Sequence, residues 1–103
     1  MACSAPRARP LIEARYANER WRAAQLRSIE GRCLAGLQRI SEAVQLVDSG
    51  TPEVLGRWPA YTAFGHDAVA RALYVYGLAA ERRKLAYYQA RDLPARPPDA
   101  DNP

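Results

Sequence analysis

Between Ala68 and Ala80 the chain reads AVARALYVYGLAA and carries a single charge, Arg71. This run constrains the fold more than any other feature. On an ideal helix advancing about 100° per residue, Val69, Leu73, Tyr76, Ala80 and Tyr87 form one narrow stripe, while Tyr74, Val75, Leu78 and Leu85 point elsewhere. A helix apolar around most of its circumference must be covered by more than one neighbour. The run is 13 residues long, well short of the roughly 20 a membrane span requires. The basic residues that follow, Arg82-Arg83-Lys84, cluster at one end instead of flanking a polar face, so a surface-lying membrane helix is not expected either.

A second periodic pattern precedes this one. Leu26, Ile29, Cys33, Leu37, Ile40, Val44 and Val47 recur at spacings of three and four, the signature of one helical face. Ile12, Tyr16 and Ala23 extend that face backwards to Pro10, a suitable first helical residue. Ser49-Gly50 would end the pattern in a left-handed cap. Gly31 and Gly36 within it permit either a bend or the close approach of another helix. In the connection, Thr51-Pro52-Glu53 reads as a cap, a first-turn proline and an acid suited to the helix dipole, predicting one short helical turn. The second long helix is then expected to start between Pro59 and Asp67 and to stop before Pro94. No segment alternates with period two, so no strands are expected.

The predicted architecture is an all-α long helical hairpin, two long antiparallel helices with a short helical connection. Residues 1–9 form an N-terminal tail, residues 10–92 a single helical domain, and residues 93–103 a Pro-rich C-terminal tail. The expected core comprises Leu26, Ile29, Cys33, Leu37, Ile40, Val44, Val69, Leu73 and Tyr76. A hairpin leaves the second helix only partly covered, and dimerisation into a four-helix bundle is the simplest closed remedy.

The hydrophobic share of 49% and charged share of 25% fit a folded domain and not a disordered chain. Lys84 is the only lysine among 15 basic residues, a skew that codon usage in a GC-rich coding sequence explains, so the arginine count is not taken as a functional signal. Cys3 and Cys33 match no metal-ligand spacing. Cys33 lies on the apolar stripe, predicting a buried free thiol, which suits a reducing cytoplasm. The opening MACSAPRARP lacks the apolar stretch of a signal peptide.

Catalytic residues are not expected. His66 is the only histidine, no nucleophile motif accompanies it, and no ligand cluster or glycine-rich phosphate loop is present in the sequence. The expectation is therefore a non-enzyme with no metal, no cofactor and no small-molecule substrate. Trp21, Ser28, Arg32, Arg39 and Leu46 fall opposite the predicted stripe, and exposed tryptophan beside arginine is an interface composition. The candidate partner-binding residues are Trp21, Arg32, Arg39, Tyr74, Arg82 and Tyr88. The function this suggests is a protein–protein interaction module that occupies a partner's surface, in the manner of a small phage or mobile-element inhibitor of a host defence complex. Its partner would be another protein, a second copy, or both.

The alternative is a basic helical protein associated with nucleic acid, using Arg82, Arg83, Lys84 and Arg91 interleaved with Tyr87 and Tyr88. Consecutive cations fan around a helix, and cations at a helix C-terminus are expected from the dipole alone, which makes this the less favoured reading.

Overall fold

The computed structural model describes residues 20–92. The two tails, the start of the first pattern at Pro10, and Cys3 lie outside the described residues. Four helices follow in order: α1 (Arg20–Gly36), α2 (Ile40–Arg57), α3 (Ala63–Ala79) and α4 (Arg82–Gln89). The described residues contain no strand. All-helical character thus holds, but each expected long helix is broken once.

Both breaks have the same construction. After α1, Gln38 takes the left-handed conformation at φ 66°. The Gln38 N–H donates to the Ala35 carbonyl at 3.0 Å and the Arg39 N–H to the Leu34 carbonyl at 2.9 Å. After α3, Ala80 is left-handed at φ 56°, with Ala80 N–H donating to Gly77 at 3.3 Å and Glu81 N–H to Tyr76 at 3.0 Å. This pair of crossed bonds is the Schellman terminator. It normally uses glycine, because a side-chain-bearing residue there costs roughly 1–2 kcal/mol. Glutamine and alanine give no such signal, which is why periodicity ran straight through both positions.

The connection moves in the opposite direction. Gly50, Thr51 and Pro52 do not end one helix and start another; they lie inside α2. Pro52 removes the bond its N–H would have made to the Asp48 carbonyl. The helix continues through it because Gly50, Thr51 and Val54 are buried, so packing outweighs one lost hydrogen bond. The start of α3 falls within its expected interval: the Thr62 hydroxyl accepts from the Gly65 N–H at 3.2 Å, a standard N-cap.

Small residues set how the helices meet. Along α1, Ala24, Ser28, Gly31 and Ala35 are buried at four-three-four spacing; along α2, Ala43, Val47, Gly50 and Val54 repeat it. A Cβ added to Gly31 would lie 2.8 Å from the Val47 side chain, and one added to Gly50 would lie 2.5 Å from the Ala24 carbonyl oxygen. Residue 31 therefore faces 43–47 and residue 50 faces 24–28, making α1 and α2 antiparallel and in backbone contact. The α2–α3 pair is also antiparallel, with Val54 beside Ala68 and Asp48 beside Tyr76. The α1 and α3 helices run the same way, as Ser28 meets Arg71 and Arg32 meets Tyr74. Short α4 closes one end through Tyr88, stacked on Tyr76.

This arrangement corrects the expected core. Val69 and Tyr76 are buried, with Val47, Val54 and Val75. Leu26, Cys33, Ile40, Val44 and Leu73 are only partly buried. Ile29 and Leu37 are 39% and 58% exposed. The close α1–α2 contact selects a face of alanine, serine and glycine and leaves the larger side chains at its margins. Cys33 is also not a free thiol: it is disulfide-bonded. The argument from a reduced cysteine to a cytoplasmic location thereby loses its basis. Among the described residues no helix is long and apolar enough to cross a membrane.

The glycines separate packing from propensity. Gly50→Ala is expected to lower stability by about 1–3 kcal/mol through overpacking. Gly77, with no atom within 4 Å of an added Cβ, is expected to gain about 0.5–1 kcal/mol as alanine. Thermal unfolding followed by circular dichroism should show opposite shifts in Tm for the two variants.

Candidate functional site

The four-helix frame distributes the candidate residues over three places, with Arg39 apart from all of them. Arg32 and Tyr74 come together: the guanidinium of Arg32 lies 3.5 Å above the Tyr74 ring centroid, joining α1 to α3 at the surface. Next to this stack, on the same two helices, Ile29, Tyr74 and Leu78 are 39%, 38% and 47% exposed. Successive contacts, Ser28 with Arg71 and then Arg32 with Tyr74, advance along both helices together. Continuing that register brings Gly36 and Leu37 level with Leu78. The result is an apolar seam bordered by arginine. Behind it, Arg71 donates from Nε to the fully buried Ser28 hydroxyl at 2.8 Å. Burial lowers the Arg71 pKa, partly opposed by nearby Asp67. Ser28 therefore belongs to the interior and not to the outward face expected of it.

Trp21 occupies a second place, near the start of α1. It is half-buried, and its ring packs edge-on to Trp58 at 5.5 Å and tilted to Phe64 at 5.4 Å, while Trp58 and Phe64 are 5.2 Å apart. Arg22 lies over Trp21 at 5.0 Å and Arg57 over Trp58 at 4.2 Å. Sequence reasoning missed Arg57, Trp58 and Phe64 because only the antiparallel α1–α2 register, with the start of α3 packed beside it, brings them to Trp21. Arg39 stands apart at the head of α2, paired with Glu42 at 2.6 Å.

The third place is α4. Tyr88 is 6% exposed and packs on Tyr76 with centroids 5.7 Å apart, so it is an interior residue and not a surface contact. The Tyr76 hydroxyl donates to Asp48 Oδ1 at 2.5 Å, and Lys84 Nζ donates to both Asp48 oxygens at 3.1 and 3.0 Å. One carboxylate thus ties α2, α3 and α4 together. Arg91 folds back over Tyr87 at 3.4 Å and donates to its carbonyl at 2.9 Å. Of the four candidate nucleic-acid contacts, Lys84 and Arg91 are engaged within the chain, while Arg82 and Arg83 are exposed. A groove of about 390 Å³ runs beside this knot, lined by Asp48, Arg83, Lys84 and Tyr87 among others.

Burial, and then the hydrogen bond to Asp48, hold the Tyr76 phenol neutral well above its usual range; burial does the same for Tyr88. The sign follows from linkage. An unfolded tyrosine ionises near pH 10, whereas the folded protein favours the neutral phenol. The stabilisation is therefore complete below about pH 10 and is lost as pH rises beyond it. Urea unfolding on either side of that pH should show an alkaline loss that Tyr76→Phe reduces. At neutral pH the same substitution should lower stability by about 1–2 kcal/mol, since it leaves the Asp48 carboxylate one donor short.

No family model, no curated protein sequence and no solved structure matches the chain.

Proposed function

We propose that the protein is a non-catalytic protein–protein interaction module that works by occupying a partner's surface through the α1–α3 seam, as a small accessory or inhibitory protein does. The observation that supports this is the grouping of exposed Ile29, Tyr74 and Leu78 around the Arg32–Tyr74 stack. Tyrosine and arginine beside partly exposed aliphatics are the composition of an interface centre, and stacking on Tyr74 restricts the Arg32 guanidinium before any partner arrives. An inhibitor of a host defence complex, encoded by a phage or mobile element, is one role that such a module would serve.

Two glycines favour a helix as the covering element. Gly77 has no neighbour near an added Cβ, and Gly36 has only the Arg32 guanidinium at 3.6 Å. Each costs about 1 kcal/mol relative to alanine in a helix, and packing within the described residues requires neither. Small residues on an exposed face leave room for another backbone to approach. The exposed cation Arg32 calls for a partner segment with a carboxylate at its margin. A second copy would bring the same cation to the seam. The surplus apolar surface that suggested a dimer is also smaller than a bare hairpin would leave, because Val69, Ala72, Val75 and Tyr76 are buried within the chain. The nucleic-acid alternative has weaker support on α4, where Lys84 is held by Asp48 and Arg91 by Tyr87.

The test uses the whole chain as bait in a host lysate, with captured proteins identified by mass spectrometry. Gly77→Leu fills open space and Arg32→Glu reverses an exposed charge, so both should keep the wild-type circular dichroism spectrum. Both should lose the captured protein by at least tenfold, whereas Arg39→Glu and Arg82→Glu should retain it. A photocrosslinker at Ile29 should join the partner at a helix bearing Asp or Glu. Capture that survives both seam substitutions, or that disappears on nuclease treatment, would overturn the proposal, as would a dimer in light scattering that Gly77→Leu dissolves.

A further inference from the structure

A separate cleft lies where the start of α1 meets the end of α2. It encloses about 640 Å³ and is lined by Arg20, Trp21, Arg22, Glu53, Arg57 and Trp58 with Gly56 between them. Among the described residues, three arginines and two indoles share this wall with a single carboxylate. That carboxylate is already engaged, accepting from Arg20 at 3.1 Å and from Arg27 at 3.3 Å. Arg57 has no carboxylate partner among the described salt bridges, and its guanidinium rests on the Trp58 ring. The cleft therefore combines positive charge with aromatic faces that already accept a planar cation.

One more group is unsatisfied there. The Trp58 indole N–H is buried and has no hydrogen-bond partner. A buried donor without an acceptor is unfavourable by the full cost of its desolvation. Turning the ring toward an anionic oxygen in the cleft would remove that cost.

We propose that this cleft binds a nucleotide: arginine contacts phosphate, an indole stacks on the base, and the Trp58 N–H donates to an oxygen of the ligand. An acidic peptide would satisfy the arginines but would leave the indole faces unused, so the base favours a nucleotide over a carboxylate ligand. This site is independent of the α1–α3 seam and does not use the α4 cations. The same chemistry is offered by a free nucleotide and by a nucleotide within a single strand.

The chain has two tryptophans, and both line this cleft, so intrinsic tryptophan fluorescence reports on the cleft alone. The full chain is titrated with thymidine 5′-monophosphate, with an eight-residue oligothymidylate, and with poly-glutamate. The expected result is saturable quenching by a thymidine ligand; for the oligomer it weakens about tenfold when salt is raised fourfold, as two or three phosphate contacts imply. Equal affinity per site for the monophosphate and the oligomer identifies a free-nucleotide site; saturation by the oligomer alone identifies a single-strand site. Arg57→Glu, exposed and without a carboxylate partner, should keep the melting temperature and reduce affinity at least tenfold, whereas an Arg82→Glu, Arg83→Glu double variant should bind as the wild type does. The proposal is overturned by absence of quenching, by equal quenching with poly-glutamate, or by binding that persists in Arg57→Glu.

Discussion

The contact on which the rest of the structure depends is the backbone approach of α1 to α2 at Gly31 and Gly50. There the space for a Cβ is already taken by the Val47 side chain on one side and the Ala24 carbonyl on the other. At such a separation helices attract through many short dispersion contacts, and no large side chain fits between them. At this contact α1 therefore presents alanine, serine and glycine, and α2 adds only valine to residues of that size. The antiparallel register fixed by this contact carries Trp58 to Trp21, and it orients α2 so that Asp48 reaches Tyr76 and Lys84. Both the aromatic cleft at one end and the polar knot at the other are consequences of two missing methyl groups.

Once that face is committed, Leu34 stays in the core with α3 while other large apolar residues lie outward. Ile29 and Leu37 become surface, and Arg71 and Tyr74 add further links from α3 to α1. The same event that builds the core thus generates the seam proposed as a docking face. Apolar exposure here is not a failure of packing. It is the geometric remainder of choosing small residues for the closest contact.

Helical character and the approximate start of α3 were legible in the sequence, because they rest on local signals such as the Thr62 cap and the three-four spacing of apolar residues. Three things were not. Gln38 and Ala80 end helices without the glycine that marks such ends. Pro52 sits within a helix because burial at Gly50, Thr51 and Val54 overrides its local preference. The true buried face of α1 was hidden because hydrophobicity ranks leucine and isoleucine above alanine and glycine, whereas close helix contact reverses that order. Arg32 was nominated for its place opposite the first stripe and Tyr74 for pointing away from the second, and only the parallel α1–α3 register makes them one surface. Tyr88 looked like a stacking residue and is one, but its partner is the chain's own Tyr76.

The left-handed residues Gln38 and Ala80 have a consequence for what holds the two turns in place. Neither segment has a local reason to stop being helical, and the unbroken helix avoids the backbone strain of the turn. Each turn is therefore favourable only with the helices on its two sides docked on their distant neighbours. For Ala80 those neighbours are Tyr76, Tyr88 and Asp48, whose mutual contacts exist only if α4 has folded back. The bend is thus held by long-range docking, whereas a glycine-marked turn is favourable from its own sequence.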